Sequence, residues 1–264
     1  MPPGGWPKQQ SGPGAAERVR HQAPPPGRRA MNVEQLNEQL FEALITGDRI
    51  SARGVVRRAL GGGLQAQDLA TELFWPTYQT LEKMHRQDQL GVLPHHAAVR
   101  LLRTLVDQNA AGLTQMSRNG RRVLAFCGAS ENDELGGQMA VDLLEAYGFE
   151  VLFAGGGVAN DEILGYVNEQ RPDVLLMFAS AASDLPNIRA LIDTIQEIGA
   201  APNLQVAVGG GVFNRADGLA EEIGADLWAA SPIEIVDRLL AEPQRRADAG
   251  QRTVGKSRKS RAAA

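Results

Sequence analysis

The spacing of apolar positions changes once along this chain, near residue 120, and the change divides it in two. Before that point apolar residues recur at threes and fours. Val33, Leu36, Leu40, Phe41 and Leu44 mark a helix that stops at Gly47. A short second helix runs from about Ser51, which can cap it, to Leu60, where Gly61-Gly62-Gly63 breaks it. A third spans about Ala66 to Gln87 with Leu69, Leu73, Tyr78, Leu81 and Met84, and Pro76 is expected to kink or cut it. The fourth starts near Leu93 and carries Ala97, Val99, Leu101, Leu102, Leu105 and Val106. Four antiparallel helices joined by short loops form a bundle over residues 32–118.

Beyond the Asn119-Gly120 turn the apolar residues come in solid blocks, at Val123–Phe126, Val151–Ala154, Val174–Phe178, Gln205–Val208 and Asp226–Ala229. Blocks of this length without alternation are strands covered on both faces, as in a parallel sheet. Helices are expected between them, at about 135–147, 161–170, 185–198 and 214–223, with a last one at about 232–241. Ser231, Pro232 and Glu234 supply its cap, first-turn proline and N3 carboxylate. Right-handed crossovers then give an α/β domain over 121–241, a five-stranded doubly wound parallel sheet of flavodoxin-like type in the order 2-1-3-4-5. Ligands of such sheets bind where the strands end, so the stretch from Val123 to Gly137 commands interest. There a strand leads through Cys127-Gly128-Ala129-Ser130 and the polar loop Glu131–Glu134 into an amphipathic helix closed by Gly148.

Composition adds limits. The chain is 43% apolar and 22% charged, an ordinary balance for a packed core, and it has no apolar run long enough to span a membrane. One cysteine makes no internal disulfide, and the N-terminus lacks the apolar block of a secretory signal, so a cytoplasmic location is expected. Residues 1–30, rich in Pro, Gly, Gln and Arg, read as disordered or as a misassigned start, with Met31 as the alternative first residue. Residues 243–264 read as a basic disordered tail. Between these basic ends the body holds 15 basic and 29 acidic residues, a poor basis for contact with nucleic acid.

The rim residues carry a resemblance. Cobalamin-binding domains of this fold share D/E-x-H-x-x-G, S-x-L about forty residues later, and G-G a little under thirty after that. This chain has Glu131-Asn132-Asp133-Glu134-Leu135-Gly136, then Ser180-Ala181-Ala182, then Gly209-Gly210, at matching spacings and at strand ends. The preceding bundle resembles the cap of corrinoid methyltransferase proteins and of light-sensing cobalamin repressors. The resemblance implies a corrinoid whose nucleotide arm threads between Ser180 and Gly210, in a sensor, regulator or carrier that works with a regulator or methyltransferase protein. Haem is a lesser alternative ligand. No helix-turn-helix precedes the bundle, so direct DNA binding is not expected, and 264 residues hold no substrate barrel for a catalyst in its own right.

Two positions depart from the family pattern. Its axial histidine corresponds to Asp133, a hard oxygen donor ill suited to cobalt in a corrin. Glu131 keeps the acid that would orient that histidine, and Glu131, Asp133 and Glu134 also read as helix-capping, solvated residues. In the bundle, the repressors' W-x9-E-H corresponds to His85, nine residues, then His95 and His96. Only His96 matches, and it is the candidate upper cobalt ligand, with His85 in the place of the tryptophan. Helix-end histidines are ordinarily exposed or half-buried, and neighbours about 100° apart do not chelate together. Gly209 and Gly210 read either as room for a ligand against the backbone or as a tight strand-to-helix turn.

Overall fold

The computed structural model describes residues 32–128, 131–199 and 201–248; the side chains of Glu131 and Asn132 are outside that description, as are the segments expected to be disordered before residue 32 and after 248. The bundle consists of α1 (Val33–Ile45), α2 (Arg49–Gly61), α3 (Ala66–Asp68), α4 (Trp75–Arg86) and α5 (Val92–Ala110). Asp48, not Ser51, caps α2: its Oδ1 accepts from the amides of Ile50 and Ser51 at 3.0 Å each, so the helix starts two residues earlier than the sequence suggests. The third predicted helix runs unbroken through Pro76 because a π-helical turn, Leu69–Phe74, joins α3 to α4. Proline has no amide to offer the carbonyl one turn back. Asn37 of α1 supplies the donor, its Nδ2 lying 3.0 Å from the Glu72 carbonyl, while its Oδ1 accepts from Thr77 Oγ1 at 2.9 Å.

The second part alternates as expected: β1 (Arg122–Cys127), α6 (Glu131–Ala146), β2 (Glu150–Gly156), α7 (Asn160–Gln170), β3 (Val174–Phe178), α8 (Leu185–Ile198), β4 (Gln205–Gly209), α9 (Gly211–Arg215), α10 (Leu219–Ile223), β5 (Leu227–Ala229) and α11 (Pro232–Ala241). All pairings are parallel, in the order β2-β1-β3-β4-β5. Two boundaries differ from expectation. The loop Glu131–Glu134 is the first turn of α6, where acidic side chains favour the helix dipole. The helix placed at 214–223 is split into α9 and α10 by Gly218, which adopts a left-handed φ of 76°.

Successive β1 residues face opposite sides. Val123, Ala125 and Cys127 pack under α6 and α11; Leu124 and Phe126 pack under α7 and α8. The bundle has its own core around Leu40, Leu44, Leu73, Phe74 and Leu102, and Leu135 and Met139 of α6 belong to it. Trp75 lies in this core, and Trp228 is half-buried beneath the Arg238 guanidinium. The start of the expected tail is tied down. Ala247 donates to Asp226 Oδ1 at 2.6 Å, Arg246 reaches the Asn203 carbonyl at 2.7 Å, and buried Gln205 donates to the carbonyls of Glu242 and Arg245. Residues 243–248 are therefore part of the sheet domain. Among the described residues no helix is long and apolar enough to cross a membrane.

One carboxyl in the framework costs stability. Burial pushes Asp142 on α6 up to about 6, although Gln138 Nε2 donates to it at 2.5 Å. A raised carboxyl penalises folding only where it must ionise. The penalty is absent below the ordinary carboxylate range, grows as pH rises toward 6 and is constant above. Asp142→Asn keeps the acceptor and removes the charge. It should raise stability by about 1–2 kcal/mol at pH 8, with the two melting curves converging below pH 4.

Candidate corrinoid site

The three segments singled out by the sequence emerge side by side. Cys127, Phe178 and Gly209 are register partners across β1, β3 and β4, so Gly128, Ala179-Ser180 and Gly210-Gly211 leave the sheet on one rim. β1 and β3 are also where the crossover direction reverses, the crevice of a doubly wound sheet.

Asp133, in the first turn of α6, is 3% exposed. A Cβ placed on Gly128 would stand 2.5 Å from Asp133 Oδ2 and 2.7 Å from Asp184 Oδ2, so two carboxylates flank one point above that glycine and only glycine fits there. Burial and then the charge of Asp133 raise the Asp184 carboxyl. Glu134 turns the other way and meets Arg103 of α5 at 3.1 Å, a link between bundle and sheet domain. Cys127 is buried beside this cluster; burial, followed by Asp133 and Glu134, pushes its thiol up to about 12, so it is a packing residue and not a thiolate. Glu131 opens α6, but its side chain lies outside the described residues.

The glycines divide their work. Gly209 lies against the Phe178 ring, where a Cβ would come within 2.9 Å, and Gly210, at φ 104°, lies against the backbone of Ala179. At these two positions the absent side chains make room for the end of β3, the strand-to-helix alternative. Gly211 faces the rim: a Cβ there would stand 2.7 Å from Arg215 Nη1 and 3.7 Å from Ser180 Oγ. Arg215 in turn donates to the Ser180 carbonyl at 2.6 Å. Ala182, at the S-x-L position, is exposed in a short 3-10 turn.

Sequence patterning missed the bundle's contribution to the rim. Tyr78, counted among the apolar stripe of its helix, is buried, with its hydroxyl against the first turn and a half of α6. A Cβ on Gly136 would lie 3.2 Å from that hydroxyl. Burial, then the charges of Glu82 and Asp133, raises the phenol well above its ordinary value. Tyr78 and Glu82 are one helical turn apart on α4, and that i, i+4 spacing of two polar groups within a buried stripe was the available signal.

The histidines fall differently from the family pattern. His96 is exposed, whereas His95 is fully buried and its Nε2 is 2.7 Å from Glu82 Oε1. The His85 ring stacks on His95 with centroids 3.9 Å apart and planes 8° from parallel, and His85 Nδ1 is 2.9 Å from the Leu90 carbonyl. His95 and His96 ring centroids are 6.0 Å apart. Among the described residues no group of three or more His, Cys, Asp or Glu is placed to hold a metal ion.

Burial lowers the His95 imidazole, with Glu82 opposing. The folded protein thus favours neutral His95. Its contribution is complete above the ordinary imidazole value of about 6.5 and is lost as pH falls through it. His95→Gln preserves a donor to Glu82 but cannot titrate. The fall in melting temperature between pH 7.5 and 5 should be about 2–4 °C smaller in this variant than in the parent.

Residues 121–237 match the family described as B12 binding domain. The chain is 22% identical over 218 residues to trimethylamine corrinoid protein 2 of Methanosarcina acetivorans, covering 79% of this chain and 96% of that protein. With dimethylamine corrinoid protein 1 of the same organism it shares 26% identity over 216 residues, 78% of this chain and 96% of that one. The solved structure of the Methanosarcina barkeri monomethylamine corrinoid protein has the same fold, with a TM-score of 0.70 at 17% identity over 79% of this chain and 98% of its own. Through residues 121–237, this chain is similar to the B12 binding domain family.

Proposed function

We propose that this protein holds a cobalamin-type corrinoid at the rim formed by Gly128, Ser180 and Gly211, beneath the bundle, and uses it for sensing or regulation with no protein histidine below the cobalt. The observation that carries the proposal is the convergence of three family-spaced segments on one rim with Asp133 where the family has its axial imidazole. The rim has a hydroxyl at Ser180 and, at Gly211, a backbone face covered by the Arg215 guanidinium, donors and acceptors that suit a polar, phosphate-bearing nucleotide arm. Its lower face does not suit a histidine-ligated cobalt. Asp133 is a buried oxygen donor facing a second carboxylate, the opposite of the neutral nitrogen that corrin cobalt takes from such a loop. His96 remains the candidate upper ligand by its place in the family motif, with His85 at the motif's tryptophan position.

A methyl carrier cycles cobalt between oxidation states, and a lower imidazole helps that cycle, so the missing histidine ranks a regulatory role first. The partner would then be a regulator protein. The names of the curated relatives, tri- and dimethylamine corrinoid proteins, favour a second reading, in which the chain presents its corrinoid to a methyltransferase. Haem finds no support among the relatives, whose names are those of corrinoid proteins.

Incubation with hydroxo-, methyl- or adenosylcobalamin, followed by gel filtration, should give a coloured protein with near-equimolar corrinoid. Protein that elutes colourless under saturating cobalamin overturns the proposal. Asp133→His should add a nitrogen ligand below the cobalt, with Asp184 placed to accept from the new ring, and shift the visible bands of the bound corrinoid. An unchanged spectrum would show that position 133 does not face the metal.

A further inference from the structure

The rim carries charge at both ends, and the ends have opposite sign. On the β1 side, Asp133 Oδ2 and Asp184 Oδ2 lie 2.5 and 2.7 Å from the place of a Cβ on Gly128. Two strand positions away across β3, about 10 Å along the rim, stands Arg215. Its Nη2 donates to the Ser180 carbonyl at 2.6 Å, and its Nη1 lies 2.7 Å from the place of a Cβ on Gly211, so the guanidinium covers the glycine backbone. Among the described residues no carboxylate lies within ion-pair distance of it, and a neutral carbonyl is what holds it. The arginines on the bundle side differ: Arg103 is paired with Glu134 at 3.1 Å and Arg86 with Glu82 at 3.8 Å. Partial burial, then the charge of Arg86, lowers the Arg215 guanidinium, with Glu82 and Asp133 opposing. A cation in that position gains from an anion brought against it.

We propose that Arg215 binds the phosphate of the corrinoid's nucleotide arm, and so selects corrinoids that carry a phosphate over those that lack one. This rests on the corrinoid-binding reading and adds a determinant of its specificity. A guanidinium presents a planar fork of donors that meets two phosphate oxygens at once. It has five N–H donors, and the bond to the Ser180 carbonyl uses one of them. Phosphate oxygens can therefore be met without breaking that bond, which holds the side chain in place over Gly211. The polarity of the rim agrees. A cobalamin is cationic at its metal and anionic at its phosphodiester, and the rim sets two acids at Gly128 and a cation at Gly211. Because Arg215 is exposed, its attraction for the phosphate should weaken with added salt.

The parent chain, Arg215→Gln and Arg215→Lys are compared by equilibrium dialysis against hydroxocobalamin, cobinamide phosphate and cobinamide, with bound corrinoid read by absorbance. The first ligand carries a phosphodiester, the second a phosphate without ribose or base, and the third neither. The parent should prefer both phosphate-bearing ligands to cobinamide, and the preference should shrink as salt is added. In Arg215→Gln that preference should fall about ten-fold, the worth of a charge-assisted hydrogen bond at a partly exposed site. Arg215→Lys should keep part of it, since an ammonium retains the charge and loses the fork. An undiminished preference in Arg215→Gln overturns the proposal. So does equal weakening toward all three ligands, which would mark Arg215 as a support of the rim's shape. A loss with hydroxocobalamin but not with cobinamide phosphate overturns it too, because the side chain would then meet the ribose or base. If the parent takes up none of the three, the corrinoid reading itself falls, whereas in every other failure the parent still binds hydroxocobalamin.

Discussion

Helix α6 is shared between two cores, and the position of everything at the rim follows from that. Leu135 and Met139 are packed into the bundle, while Ala140, Val141, Leu143 and Leu144 cover one face of the sheet. A helix buried on two sides has little freedom to rotate or slide, since interiors are packed to near-crystalline density. Its first turn, with Asp133, is therefore held at a set height above β1, and the bundle that α6 carries is held over the same rim. The Arg103–Glu134 pair adds a polar tie at the edge of this contact, but it is partly exposed and contributes little beside the apolar seam.

Most of the fold was legible because its determinants are local. Solid apolar blocks give covered strands, alternation of strand and helix gives a parallel sheet, and handedness leaves few orders to choose among. The misjudged boundaries all involve a competition that the sequence states without resolving. Asp48 and Ser51 are both good caps, and the earlier one wins because it satisfies two amides at once. Pro76 reads as a break only if nothing else can serve the carbonyl it abandons. Asn37, some forty residues away in sequence, does so, and no window around Pro76 contains that information.

The rim was half legible. Spacing located the three segments, since strand ends and crossover lengths are fixed by the sheet. It did not assign the work of each glycine. Gly209 and Gly210 make way for Phe178 and Ala179, neighbours across a strand pairing, and only Gly211 opens toward the crevice. Nor did patterning separate Tyr78 from the apolar residues of its stripe, because a tyrosine's ring obeys the hydrophobic period whatever its hydroxyl does. For the histidines, the helical period placed His95 and His96 on different faces but did not say which face was inward. The bundle buries His95 because Glu82 on α4 offers a carboxylate to its Nε2.

The charges at the rim explain why a carboxylate at position 133 changes more than one ligand. A neutral imidazole there would leave Asp184 as its natural acceptor and the local charge near minus one. Asp133 replaces that pair with two acids over Gly128, beneath a phenol already flanked by Glu82. Like charges brought together in this way are relieved by an opposite charge. Arg215 answers part of that demand from β4's side by standing at Gly211 and Ser180. In the regulatory reading proposed above, a bound corrinoid would meet the rest of that demand with a cationic metal centre, which suits a ligand that is held and read more than one driven repeatedly to its most reduced state.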